Sequence, residues 1–273
     1  MDEPMPSKDV RQTYDRLRKS DLDAVHAIRP GQRVFIGSGC GEPQHLVNIL
    51  LDQATRLSDV ELVRLLSLES SLTALMAEES KNRSFNVRSI YLGSGQTRSL
   101  KANQRFVTPI PLSSVPRILR DGLVPLDFAL IQVSPPDPYG WVNLGISVDV
   151  TLAAAQAADV VIAQVNPRMP RVPGHGFLHL DDLDMIVEKE EALLEAYASE
   201  AYADVETLAR MASGLVEDGA TLHLGMGTAS HAVARALGEK NDLGIHTEIL
   251  TDDIMDLAFE GVITNKKKGL NYG

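Results

Sequence analysis

Apolar residues recur along this chain in two rhythms, short unbroken runs and longer stretches in which Leu, Val and Ile return at helical spacing. Asp9 to Ile28 predicts a helix with an uneven stripe of Leu17, Leu22, Val25 and Ile28. Arg29-Pro30-Gly31-Gln32 predicts a turn and Arg33 to Ile36 a short strand. The strand runs into Gly37-Ser38-Gly39-Cys40-Gly41-Glu42-Pro43, and the segment QHLVNILLDQA then spaces Leu46, Val47, Ile49 and Leu50 as a helix does. Pro43 suits the first turn of that helix. Val60 to Leu68 predicts a second strand, although VELVRLLSL also fits a helix, and Arg88 to Leu92 a third. Ser113 to Pro116 opens a short helix that stops near Gly122, and Phe128 to Val133 is an apolar strand.

Beyond it, Ser134 to Gly145 is dense in proline and carries aromatic and aliphatic residues, which predicts a rigid loop. The Ala-rich stretch Asp149 to Ala158 predicts a helix, Val160 to Val165 a strand, and Asn166 to Gly176 another Pro/Gly loop. Ile186 to Glu217 interleaves Glu188, Glu190, Glu191, Glu195, Glu200 and Glu206 with Leu and Ala, which predicts one or two helices. The pattern then restarts: a turn at Asp218 to Ala220, a strand at Thr221 to Leu224, a glycine turn at Gly225 to Ser230, and a helix at His231 to Leu237. RVFIGSGCGEPQHLVNIL and TLHLGMGTASHAVARAL share the order strand, Gly-x-Gly, helix, which marks a weak internal repeat. Strands alternating with helices predict an α/β fold with a mostly parallel sheet and flanking helices. The expected organisation is an N-terminal α/β domain over 1–187, a helical connection over 188–217, and the start of a second, incomplete α/β unit over 218–273.

Composition narrows the classes. The 273 residues are 44% hydrophobic and 23% charged, ordinary for a globular chain. A formal net charge of -11 argues against a general nucleic-acid or anionic-membrane binder. The single cysteine, Cys40, excludes an intrachain disulfide, and there is no CxxC pair. The polar N-terminus lacks a signal-peptide core, and no apolar run approaches the roughly 20 residues that span a bilayer, so a cytoplasmic chain is expected. His175 and His179 have the four-residue spacing of a helical zinc pair, but Gly174 and Gly176 oppose a helix there, so no metal is expected.

The candidate chemistry lies at the glycine turns and at Gly244-Ile245-His246-Thr247-Glu248-Ile249-Leu250-Thr251-Asp252-Asp253, where Glu248 stands at the end of an apolar strand. A strand feeding a Gly-rich turn and a helix presents unpaired backbone N–H groups to an anion. The same pattern fits a tight turn with no ligand. It also fits a dinucleotide fingerprint with Ser230 in place of the third glycine and Glu248 as the ribose acceptor. Glu248 lies one βαβ step beyond Gly225, so both are expected at the carboxyl ends of neighbouring strands, where open α/β folds bind ligands. A carboxylate so placed serves as ribose acceptor, general base or nucleophile.

SPPDPYGWVNLGISVD, VNPRMPRVPGHGFLH, LGMGTASHAVARAL and GIHTEILTDDIMDLAFEGVITNKKK, in this order along the chain, resemble segments of the acetyl-CoA hydrolase/transferase family, which includes acetate, succinate and 4-hydroxybutyrate CoA-transferases. The resemblance implies a CoA-transferase-like fold of two related α/β units. It implies Glu248 as nucleophile, and Gly225, Met226, Gly227, Thr228 and Ala229 as the loop that contacts coenzyme A. By analogy within the family, Gly39 and Gly41 are assigned to an oxyanion hole, and Ser134 to Gly145 to the border of the carboxylate pocket. The implied reaction moves coenzyme A between an acyl-CoA and a small carboxylic acid such as acetate through a glutamyl-CoA thioester, or hydrolyses acetyl-CoA. Coenzyme A is then a substrate, with no tightly bound cofactor, no nucleic acid and no membrane as partner; a homo-oligomer is compatible with this. The alternative of a different class is a non-catalytic CoA-binding or regulatory module. Thr251-Asp252-Asp253 and Thr228-Ala229-Ser230 depart from the family's common Ser-Asp-Gly and Ile-Pro. His246 and Asp252 flank the glutamate, and Lys266-Lys267-Lys268 is either a contact for CoA phosphates or a solvated charge run. Cys40 is expected to pack rather than react.

Overall fold

The computed structural model describes residues 8–66, 84–90, 105–196 and 202–269. The chain divides into two compact units, Met1–Ala196 and Tyr197–Gly273.

In the first unit, β1 (Arg33–Ile36), β2 (Val60–Arg64), β3 (Phe85–Ser89), β4 (Arg105–Val107), β5 (Leu126–Val133), β7 (Ala158–Val165) and β9 (Met185–Glu188) form a seven-stranded sheet in the order β4-β3-β2-β1-β5-β7-β9. Every neighbouring pair is parallel. Apolar side chains alternate between two buried faces. Phe35, Ala129, Ile131, Val161 and Ile186 pack on one side with α4 (Val115–Arg120) and α5 (Thr151–Ala157). Val34, Ile36, Leu130, Ile162 and Val187 pack on the other with α2 (Asp21–His26) and α3 (Gln44–Asp52). A strand buried on both faces has no polar side to expose, which explains the unbroken apolar runs in the sequence.

The ambiguous segment at Val60 is a strand, paired from Val60 to Arg64 with β3; Leu68 lies outside the described residues. The strand expected at Arg88 starts earlier, at Phe85, and Leu92 lies outside the described residues. The single helix expected over Asp9 to Ile28 is two, α1 (Lys8–Leu17) and α2. Arg18 bridges to Ile186 and the Lys19 N–H donates to Ile186 O at 2.9 Å, so the backbone leaves the helix to meet the sheet edge. Ser20 restarts it by capping the Asp23 N–H. The Tyr14 hydroxyl donates to Glu188 at 2.8 Å, and burial and that carboxylate push the phenol well above its usual range.

Two further expectations are corrected. Ser134 to Gly145 is not wholly a loop: β6 (Trp141–Asn143) pairs antiparallel with β8 (Phe177–His179). Arg171 fastens this module, donating to Trp141 O at 3.0 Å and Pro135 O at 3.2 Å and pairing with Asp137 at 3.0 Å. The helical connection expected over 188–217 is absent from its first part. Met185–Glu188 is the edge strand of the sheet, and 189–196 is an irregular strap. The strap crosses the start of α3, where Glu191 Oε1 accepts the His45 N–H at 3.2 Å, and the Asn166 amide holds Glu191 O at 2.9 Å. Among the described residues of 188–217, only Ala203–Gly214 is helical (α6), and it belongs to the second unit.

The second unit has a parallel pair, β10 (Thr221–Leu224) and β11 (Gly244–Thr247), with α7 (Thr228–Arg235) between them and α8 (Asp252–Phe259) after. Leu224, Ala234, Leu237, Ile245, Ile254 and Leu257 form its core.

Candidate functional site

Among the described residues, each unit carries a strand–glycine turn–helix segment. In the first, strand order reverses between β1 and β5, and the turn leaving β1 stands at that switch point. Gly37 N–H donates to Leu130 O at 2.9 Å, then Gly39–Gly41 forms one turn of 3-10 helix before α3 begins at Gln44. The Gly39 N–H donates to Leu66 O at 2.9 Å, and the Gly41 N–H to Ser38 O and Ser147 Oγ, both at 3.2 Å. Both amides assigned to an oxyanion hole are therefore engaged within the protein. A donor already bonded to a protein acceptor must break that bond before it serves a developing charge. Burial pushes the Cys40 thiol above its ordinary range, which makes it a poor nucleophile.

In the second unit the turn is shorter. Gly225-Met226-Gly227 leads directly into α7, so Thr228, Ala229 and Ser230 form the first helical turn rather than part of the loop. Gly227 caps the helix at φ 116° and ψ 169°, a backbone region that only glycine occupies readily. Gly225 is needed for a different reason. A Cβ built there would lie 3.3 Å from Glu248 Oε1.

The parallel register explains this proximity. Leu224 pairs with Thr247, so the next residue on each strand, Gly225 and Glu248, leaves the sheet at the same end. Thr247 shapes the bend: its hydroxyl stands 2.7 Å from Leu224 O and from Ile249 O, and it accepts the Ile249 N–H at 3.1 Å. Glu248 follows the strand rather than ending it in the core, and its side chain is 37% exposed. Ile245 faces the core, whereas Glu248 stands on the open face.

That face holds residues the sequence reading did not single out. His223 pairs with His246 across the two strands, and His223 Nε2 stands 3.1 Å from Glu248 Oε2. His231 Nδ1 lies 2.7 Å from Asp253 Oδ2, tying α7 to the first turn of α8. Arg235 binds Glu206 at 2.9 Å and so ties α7 to α6. Asp252, which flanks the glutamate in sequence, starts α8. The signal for His223 was its position two residues before Gly225, readable only once the register with β11 is known.

The remaining candidates lie elsewhere. Lys267 pairs with Asp242 at 3.5 Å and packs by Gly219, while Lys268 lies by Gly244, so this run sits at the starts of β10 and β11, away from Glu248. His179 caps the turn Leu180–Asp182 and contacts Tyr139 O at 3.0 Å. Among the described residues no group of three His, Cys, Asp or Glu is arranged to hold a metal ion, and no helix is long and apolar enough to cross a membrane.

A doubly wound parallel sheet followed in the chain by a second strand, glycine turn and helix, with a glutamate beside that turn, is a CoA-transferase-like fold. Residues 4–195 match the acetyl-CoA hydrolase/transferase N-terminal domain, and the chain belongs to that family. It is 38% identical over 251 residues to the 4-hydroxybutyrate coenzyme A transferase of Clostridium kluyveri, covering 92% of this chain and 58% of that protein. The crystal structure of RipA from Yersinia pestis superposes with a TM-score of 0.88 at 29% identity, covering 97% of this chain and 63% of that one. The 4-hydroxybutyrate CoA-transferase of Porphyromonas gingivalis superposes at 0.78 with 30% identity, covering 96% and 62%. The chain thus spans less than two thirds of the length of each of these relatives.

Proposed function

We propose that this chain moves coenzyme A between an acyl-CoA and a small carboxylic acid, with Glu248 as the nucleophile. The observation that carries the reading is the carboxylate at the end of β11, with Oε1 against Gly225 of the glycine turn. Gly225, Met226, Gly227, Thr228 and Ala229 form the turn and helix start that receive coenzyme A, where unpaired backbone N–H groups favour an anion. The similarity to CoA-transferases over most of the chain supports the same reaction class.

Glu248 attacks the acyl carbon, and the C–S bond breaks with its electron pair leaving as CoA thiolate. The thiolate then attacks the acyl-glutamyl anhydride, giving a glutamyl-CoA thioester and the free acid. A second carboxylate takes coenzyme A by the reverse steps, so ping-pong kinetics follow. Carboxylate is a weak nucleophile towards a thioester, so close placement of the reactants supplies much of the rate. The exposure of Glu248 favours one further outcome, hydrolysis, when water reaches the thioester first.

The test is acetate-dependent CoA exchange by the purified chain, with borohydride reduction of the chain incubated with acetyl-CoA. Exchange and a reduced, mass-shifted Glu248 are expected in the wild type, and both are lost in Glu248→Ala. Exchange that survives that substitution would sink the nucleophile assignment.

A further inference from the structure

The charge that develops at the glutamyl carbonyl during transfer calls for a hydrogen-bond donor beside it. We propose that His223 supplies it. The inference rests on Glu248 being the nucleophile and concerns which of its oxygens does what.

The structure distinguishes the two oxygens. Oε1 faces the backbone of Gly225, where a Cβ would lie 3.3 Å away, while Oε2 stands 3.1 Å from His223 Nε2. The register that pairs His223 with His246 puts both rings and Glu248 on the open face of β10 and β11, and the core lies behind. The His223 side chain is 69% exposed and plays no part in the apolar core of its unit. Its place is explained by Glu248 rather than by packing. The imidazole carries an N–H at Nε2 in its cation and in one neutral tautomer.

The assignment of steps follows. Oε1 bonds the acyl carbon of the thioester, and the C–S electron pair leaves on CoA sulfur. The thiolate sulfur then bonds Glu248 Cδ, and the Cδ=Oε2 electron pair moves onto Oε2. That oxyanion forms beside His223 Nε2, where a donor N–H stabilises it. The pair returns to remake the carbonyl, and Oε1 leaves with the acyl group as the product carboxylate. The same oxyanion recurs when the second carboxylate attacks the glutamyl-CoA thioester. His223 therefore touches a reacting atom in both half-reactions while leaving the attacking oxygen free.

The experiment follows formation of the borohydride-trapped Glu248 adduct from acetyl-CoA over time in wild type, His223→Ala and His223→Gln. Removing a single oxyanion donor is expected to slow adduct formation by about 100-fold, with the acetyl-CoA concentration for half-maximal rate changed less than about twofold. The glutamine carboxamide presents an N–H from a similar position and is expected to recover most of the rate. Because the ring is exposed, both variants should keep wild-type amide hydrogen exchange along β10 and β11. An adduct that forms equally fast in wild type and His223→Ala overturns this inference alone. Equal slowing in both variants overturns it too, because a donor at that position would then not be what matters. A wild-type chain that forms no adduct on Glu248 overturns the nucleophile reading and this one together.

Discussion

Alanine at Gly225 and alanine at Gly227 should fail in opposite ways, although the two glycines share one turn. At Gly225 the new Cβ meets Glu248 Oε1 at 3.3 Å, a few tenths of an ångström inside ordinary contact with the far end of a flexible side chain. The carboxylate gives way and the backbone keeps its course. Stability should change by no more than about 1 kcal/mol, and the lower entropy of the unfolded alanine chain offsets part of any loss. Reactivity should fall on the order of 10- to 100-fold, because the attacking oxygen is displaced from its place against the turn. At Gly227 nothing lies within 4 Å of the added Cβ, so the cost is torsional: φ 116° with ψ 169° is costly for alanine by about 1–3 kcal/mol. The assay is amide hydrogen exchange along Thr221–Leu224 and Gly244–Thr247, read together with trapping of the Glu248 adduct. Tryptophan fluorescence does not serve, because the single tryptophan, Trp141, belongs to the first unit. Gly227→Ala should lower protection in β10 and β11 by about one to two powers of ten, and Gly225→Ala should leave it nearly unchanged while slowing the adduct. A Gly225→Ala chain that exchanges as fast as Gly227→Ala, or that forms adduct at the wild-type rate, would refute the argument from close approach.

Three further outcomes are expected. Thr247→Val keeps the side-chain volume but removes the hydroxyl that meets Leu224 O, Ile249 O and the Ile249 N–H, so β11 should lose about 1–3 kcal/mol of local stability by hydrogen exchange and adduct formation should slow with it. Asp218 is held below its ordinary range first by the Asn241 N–H at 2.8 Å and then by the Asn241 side chain. A depressed carboxylate stabilises above its unfolded value, and that stabilisation disappears as pH falls through the lower, folded value; Asp218→Asn should flatten the acid limb of β10 protection, and an unchanged limb would contradict this. Cys40, with its thiol raised by burial, should react with iodoacetamide at neutral pH more slowly than a free thiol, and Cys40→Ala should leave adduct formation within about twofold of wild type.

Much of the fold was legible because both faces of the first unit's strands are buried. Val34 to Ile36 and Phe128 to Ile131 are apolar without interruption, and those runs follow directly from burial on two sides. The helix after Pro43 was legible from the spacing of Leu46, Val47, Ile49 and Leu50, all buried on one face. Other elements depended on distant partners. Met185–Glu188 opens a glutamate-rich stretch with helical character, yet Ile186 and Val187 are drawn to opposite faces of the sheet edge beside β7. The break between α1 and α2 has the same origin, because Lys19 N–H meets a carbonyl far along the chain at Ile186.

The site divides in the same way. By itself the sequence determined the two glycine turns, the helices behind them and the carboxylate one strand beyond the second turn, because each is written in adjacent residues. Only the tertiary structure decided that Gly225 backs Oε1, that His223 faces Oε2, that the Gly39 and Gly41 amides are already bonded, and that Lys267 lies at the opposite end of the strands from Glu248. Local periodicity sets which way a side chain points. Strand pairing and register set what it meets there, and those depend on residues that are distant in sequence.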